Sequence, residues 1–185
     1  WIVLSVVGAV PFVLTGEIPN MVDALFETVS GFTTTGASIL EDVESLSHTS
    51  LIWRSFTHWV GGMGVIVLLL AILPMAGGYN MHLMKAESPG PVVGKLVPRL
   101  RDTAKILYLI YLVITVIEFV ILLVVKMPIF DALCITFGTA GTGGFGIKAD
   151  SLGSYSYAIQ VVVTVFMILF GVNFNAYFVL LGKHK

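Results

Sequence analysis

Apolar runs long enough to cross a bilayer, interrupted by two shorter segments rich in threonine and glycine, constrain this chain more than any other feature. Crossing about 30 Å of hydrocarbon as a helix takes about 20 residues at about 1.5 Å each. Three stretches approach that length: Leu51–Met75, whose one charge is Arg54; Ile106–Val125, whose one charge is Glu118; and Tyr157–Leu181, which has none. Trp1–Leu14 lacks the basic region of a signal peptide and reads as the last part of a fourth membrane helix. Because the chain starts at Trp1 rather than Met, it reads as a fragment. Composition agrees with a bilayer as solvent. Hydrophobic residues make up 57% of the 185 residues and charged ones 11%, where soluble domains carry about 25% charge.

The two shorter segments, Pro19–Leu40 and Pro128–Ala149, begin at a proline, continue for a few helical turns, and then become rich in Thr and Gly. They are too short and too broken to span. They read as re-entrant hairpins, in which a half-helix dips in and an extended segment returns. Such backbone survives at membrane depth only where protein buries it or water lines it. Loop charge sets the expected orientation. Asn80–Lys105 carries Lys85, Lys95, Arg99, Arg101 and Lys105 against Glu87 and Asp102, and the tail carries Lys183 and Lys185. These ends are expected in the cytoplasm. The opposite side collects Glu17, Asp23, Glu27, Glu41, Asp42, Glu44, Asp131 and Asp150 against Arg54, Lys126 and Lys148. The hairpins then enter from outside, beneath an acidic face that concentrates cations.

The segments are copies of one another. Asp23-Ala24-Leu25 recurs as Asp131-Ala132-Leu133, an offset of 108 residues. At that offset Thr28 meets Thr136, Thr34 meets Thr142, Gly36 meets Gly144 and Ile39 meets Ile147; after a one-residue shift Gly62 meets Gly171. The expected fold is all-α and integral to the membrane, with parallel repeats of helix, re-entrant pore loop and helix around a central pore axis. Residues 1–75 form the first unit, 76–105 a cytoplasmic linker and 106–185 the second unit. Two hairpins are too few to surround an ion with oxygens, so two more are expected from further chain or another subunit.

These residues suit a monovalent cation. Stripping an ion of water is costly unless other oxygens replace the water, and rings of backbone carbonyls do so in potassium filters. Gly36 and Gly144, each two residues after a threonine, allow the backbone angles that aim successive carbonyls inward. The expected ion-binding residues are Thr33, Thr34, Thr35, Gly36 and Ala37 in the first hairpin and Thr142, Gly143, Gly144 and Phe145 in the second. No carboxylate lies within either, which argues against a divalent site. The half-helices direct their negative C-terminal ends toward the axis. A different reading is a secondary transporter or membrane scaffold whose broken helices bind another solute.

Four stretches carry a family likeness: Phe26-Glu-Thr-Val-Ser-Gly-Phe-Thr-Thr-Thr-Gly-Ala-Ser38, Trp59-Val-Gly-Gly-Met-Gly64, Gly138-Thr-Ala-Gly-Thr-Gly-Gly-Phe145 and Gly171-Val-Asn-Phe-Asn175. They resemble the Trk/Ktr potassium-uptake subunits, particularly the TrkH branch, over essentially the whole chain. The resemblance implies four helix–hairpin–helix units around one pore, of which this chain supplies the first two. It implies one filter glycine per unit, here Gly36 and Gly144. It also implies potassium as the transported substrate (with rubidium and sodium as relatives of it), a homodimer with one pore per protomer, a cytosolic nucleotide-binding regulatory subunit of the TrkA/KtrA type, and a bacterial-type inner membrane. The gating loop that the family carries in its third unit lies outside this chain.

Other features read more plainly. Gly141-Thr-Gly-Gly-Phe-Gly146 matches a dinucleotide fingerprint but lacks its strand, its helix and its distant acid. Gly61-Gly-Met-Gly64 reads as a close-packing face between membrane helices. Asn173 and Asn175 fall in an otherwise apolar span and read as bonding across helices or as lining the pore below the filter. Glu118 reads as paired with a polar neighbour or placed near the outer end, and Arg54 as an interface anchor or salt-bridge partner. Cys134 is the single cysteine, so no intrachain disulfide forms. His48, His58, His82 and His184 lack metal-ligand spacing. No catalytic constellation, covalently bound cofactor or basic nucleic-acid face is visible.

Overall fold

The computed structural model describes residues 1–64, 100–174, 176 and 177, with backbone alone at 100–103. It contains six helices and no strand among these residues: α1 (Ile2–Thr15), α2 (Met21–Phe32), α3 (His48–Gly62), α4 (Leu100–Val124), α5 (Ile129–Ala140) and α6 (Tyr157–Gly171). The order long, short, long occurs twice. In each half the first helix packs on the short one and the short one on the third, and α3 packs on α5 to join the halves.

Each short helix begins one or two residues after a proline that follows a turn. Asn20 caps α2 by accepting from the Val22 amide at 3.0 Å, and Pro128 occupies the N-cap of α5. Asp23 and Asp131 sit in the first turns, where a carboxylate favours the positive end of the helix dipole. Thr28, inside α2, reaches across to the Ser5 carbonyl of α1 at 2.9 Å.

The long helix α4 divides into two faces. Tyr111, Thr115, Glu118 and Leu122 are buried, while Leu109, Val113, Val116 and Val120 are exposed. Both sets recur at helical spacing, so one stripe packs on protein and the other is left for an apolar solvent. Ala104–Val124 is the one helix among the described residues that is long and apolar enough to span a bilayer. α1 likewise exposes Val3, Val7, Val10 and Leu14.

Several expectations change in detail. The expected linker ended at Lys105, yet α4 begins by Leu100; the rest of that linker, the far part of Leu51–Met75 and Asn175 lie outside the described residues. Tyr157–Leu181 is not one continuous helix. It stops at Gly171, and Val172 is extended. Glycine is a weak helix former, and the Leu169 carbonyl freed by the break accepts from the Val172 amide and the Tyr177 hydroxyl.

Gly61 and Gly62 do pack closely. A Cβ on Gly61 would lie 2.3 Å from the Phe32 carbonyl at the end of α2, and one on Gly62 would lie 2.9 Å from the Ala140 carbonyl at the end of α5. Successive glycines of α3 therefore seat the ends of both short helices. Since backbone cannot yield as a side chain can, Gly61→Ala is expected to cost about 1–3 kcal/mol through overpacking. Thermal denaturation in detergent, monitored by fluorescence, reads this as a lowered midpoint. An unchanged midpoint would mean that α3 is free to shift.

Candidate functional site

The C-terminal ends of α2 and α5 deliver the chain into two segments, Thr33–Leu40 and Gly141–Ala149. These segments touch. A Cβ on Gly36 would lie 2.1 Å from the Gly143 carbonyl oxygen, and one on Gly143 would lie 2.6 Å from the Thr34 carbonyl oxygen. The two expected groups of residues, distant in sequence, are thus brought together backbone to backbone.

The backbone conformations repeat at the sequence offset. Thr34 (φ 55°) and Gly36 (φ 74°) are left-handed in the first segment, as are Thr142 (φ 60°) and Gly144 (φ 70°) in the second, while Thr35 and Gly143 between them are not. A uniform strand sends its carbonyls alternately to opposite sides; alternating handedness allows successive carbonyls to face one way. Glycine accepts such angles freely. For β-branched threonine they cost about 1–2 kcal/mol, and the same unfavourable choice occurs in both halves.

The hydrogen bonding marks out a run of carbonyls in each segment. The carbonyls of Thr33 to Gly36, and those of Thr142 to Phe145, accept no hydrogen bond among the described residues. Each run is bounded by a carbonyl turned back into the protein. Ser30 Oγ donates to the Ala37 carbonyl, and Arg54 Nη1 to the Gly146 carbonyl. Ala37, expected among the ion-binding residues, therefore has its carbonyl already engaged. Carbonyls without donors carry an unmet demand for a positive partner.

Behind the runs lies a polar brace. Arg54 Nε donates to Glu27 Oε2 at 3.0 Å, and the two side chains are 3% and 0% exposed. The other Glu27 oxygen, Oε1, accepts from Ser38 Oγ and from the Ile39 amide at 2.7 Å. The guanidinium carbon lies over the Phe145 ring, 3.4 Å from its centroid. Phe145 is thus a buried anchor (1% exposed) through its side chain. Glu27, expected on an acidic outer face, is instead buried, and of the two roles expected for Arg54 the structure shows the ion-pair partner rather than the interface anchor. One turn further along α3, His58 Nε2 accepts from the Gly143 amide at 3.1 Å, and its ring stacks on Phe145.

Asn173 follows the break after α6 and is exposed. Glu118 is fully buried beside the Thr139 side chain of α5, and neither of its oxygens has a closed hydrogen bond among the described residues. The glycine-rich fingerprint follows helix α5 instead of a strand. No group of three or more His, Cys, Asp or Glu residues able to hold a metal occurs among the described residues.

The family model for TrkH, described as a cation transport protein, matches residues 1–184. The chain is 44% identical over 98% of its length to the Trk system potassium uptake protein TrkH of Salmonella typhimurium, and 38% identical over 99% of its length to TrkG of Escherichia coli; in each case it spans 38% of the relative. Among solved structures, the potassium transporter TrkH from Vibrio parahaemolyticus superposes with a TM-score of 0.75 at 37% identity, covering 96% of this chain and 35% of that one. A match along nearly the whole chain, together with the same helical architecture, places it: the chain belongs to the TrkH family of cation transport proteins.

Proposed function

We propose that this chain supplies half of a potassium-conducting pathway, in which the carbonyls of Thr33–Gly36 and Thr142–Phe145 replace the hydration shell of a passing ion. The observation that carries the reading is the pair of donor-free carbonyl runs, in contact with each other, whose left-handed residues recur at one offset. The ends of α2 and α5 add their dipoles to the attraction for a cation. Threonine hydroxyls brace the first run: Thr33 Oγ1 and Thr35 Oγ1 lie 2.8 Å apart. The relatives are named for potassium uptake, and the chain spans little more than a third of their length, so the complete pathway needs two further units. Homodimerisation, a cytosolic nucleotide-binding regulator, an inner-membrane location and entry of both segments from outside belong to the same proposal. No chemical step on a substrate is involved.

Rubidium, which scatters anomalously, tests this directly. The complete protein, crystallised with rubidium in place of potassium, is expected to show anomalous peaks within about 3 Å of the two carbonyl runs. Peaks confined to other sites would reject the reading. Flux measurements without potassium, showing another solute carried, would favour a secondary transporter.

A further inference from the structure

The second segment is held by the first unit. Arg54 and His58, one turn apart on α3, grip it through the Gly146 carbonyl, the Phe145 ring and the Gly143 amide. With the one-residue shift, the matching positions on α6 are Val163 and Met167. Neither has a conventional hydrogen-bonding group, so the second unit cannot build the same grip from its own third helix.

The grip at Gly143 fixes more than position. A backbone N–H only donates, so His58 Nε2 is the acceptor and the ring proton of the neutral imidazole resides on Nδ1. The Thr142–Gly143 peptide is planar and trans. Its N–H points at buried His58, and its C=O therefore points the opposite way, away from His58. One acceptor on α3 thus sets the direction of one carbonyl in the second run.

We infer that His58 is a positioning residue for ion discrimination: by accepting from the Gly143 amide across the boundary between units, it aims the Thr142 carbonyl at the ion. The inference rests on the carbonyl-run reading above. Its distinguishing property is chemical, since an acceptor at position 58 is required and an imidazole as such is not.

Three variants of the complete transporter test it: His58→Gln, which keeps an acceptor oxygen; His58→Met, of similar length without one of comparable strength; and His58→Leu should the Met variant fail to accumulate in the membrane. Rubidium uptake is measured against rising sodium, with thermal midpoints in detergent alongside. The apolar variant is expected to lose about tenfold in rubidium-over-sodium preference, the equivalent of one lost hydrogen bond, while His58→Gln stays within about threefold of the parent. Unchanged preference in the apolar variant would overturn the inference, and so would an equal loss in the Gln variant. Gly36→Ala, measured in parallel, separates the two levels. If it alters uptake or preference while His58→Met does not, only the role of His58 fails; if none of the variants alters either, the carbonyl-run reading itself fails.

Discussion

Gly36→Ala is expected to reduce rubidium uptake by the complete transporter to background, whereas Gly144→Ala retains measurable uptake with weakened preference over sodium. Both glycines are left-handed, and at both the backbone penalty of a side chain is about 1–2 kcal/mol. That alone corresponds to roughly a 5- to 30-fold loss of the native loop geometry, at about 1.4 kcal/mol per tenfold. The chain already tolerates this cost at Thr34 and Thr142, whose φ values are 55° and 60°. What separates the two sites is space. A methyl on Gly144 meets nothing within 4 Å among the described residues, while one on Gly36 would lie 2.1 Å from the Gly143 oxygen and 2.7 Å from its carbonyl carbon. Relief requires moving the second segment's backbone, so a substitution in one half disorganises both. Uptake assays in potassium-uptake-deficient cells, with membrane abundance checked by immunoblot, measure this. Equal loss in the two variants would show that contact between the segments does not matter and that handedness alone does.

The spacing of residues disclosed the short helices and the left-handed glycines at 36 and 144, because each rests on a local rule: a proline before a helix, a glycine where left-handed backbone is needed. The same rules are blind to pairings across the fold. Glu27 looked like one more outer carboxylate, and Arg54 read as an interface anchor or a salt-bridge partner with no partner named, yet they meet 3.0 Å apart in the interior. Nothing in either local sequence encodes the other. His58 had no metal-ligand spacing and so no evident use; its partner is a backbone amide 85 residues away, which no side-chain motif can reveal. Left-handed threonine was also hidden, since residue type argues against it and only the closed geometry of the segment imposes it. The break at Gly171 was masked by the apolar run continuing beyond it, for hydropathy records length in the bilayer and not continuity of the helix.

The buried ion pair yields the second large effect. Arg54→Met is expected to destabilise the protein by about 3–5 kcal/mol, because it leaves the Glu27 carboxylate at 0% exposure without its counter-charge. Adding Glu27→Gln removes that uncompensated charge while keeping an oxygen for Ser38 and the Ile39 amide, so the double variant is expected to recover most of the lost stability. The effects are therefore strongly non-additive. Transport should not recover with stability. The double variant still lacks the donor that turns the Gly146 carbonyl inward and the cation that covers Phe145, so its rubidium-over-sodium preference remains low. Burial also shields the pair from screening, so the stability pattern should persist as ionic strength rises, where a surface bridge would fade. Thermal midpoints of the parent, both single variants and the double variant, at low and high salt, complete the cycle, with uptake measured on the same four proteins. Additive losses would show that Arg54 and Glu27 act independently. Full return of ion preference in the stable double variant would show that the brace serves only to hold the fold, and that the second segment finds its conformation without it.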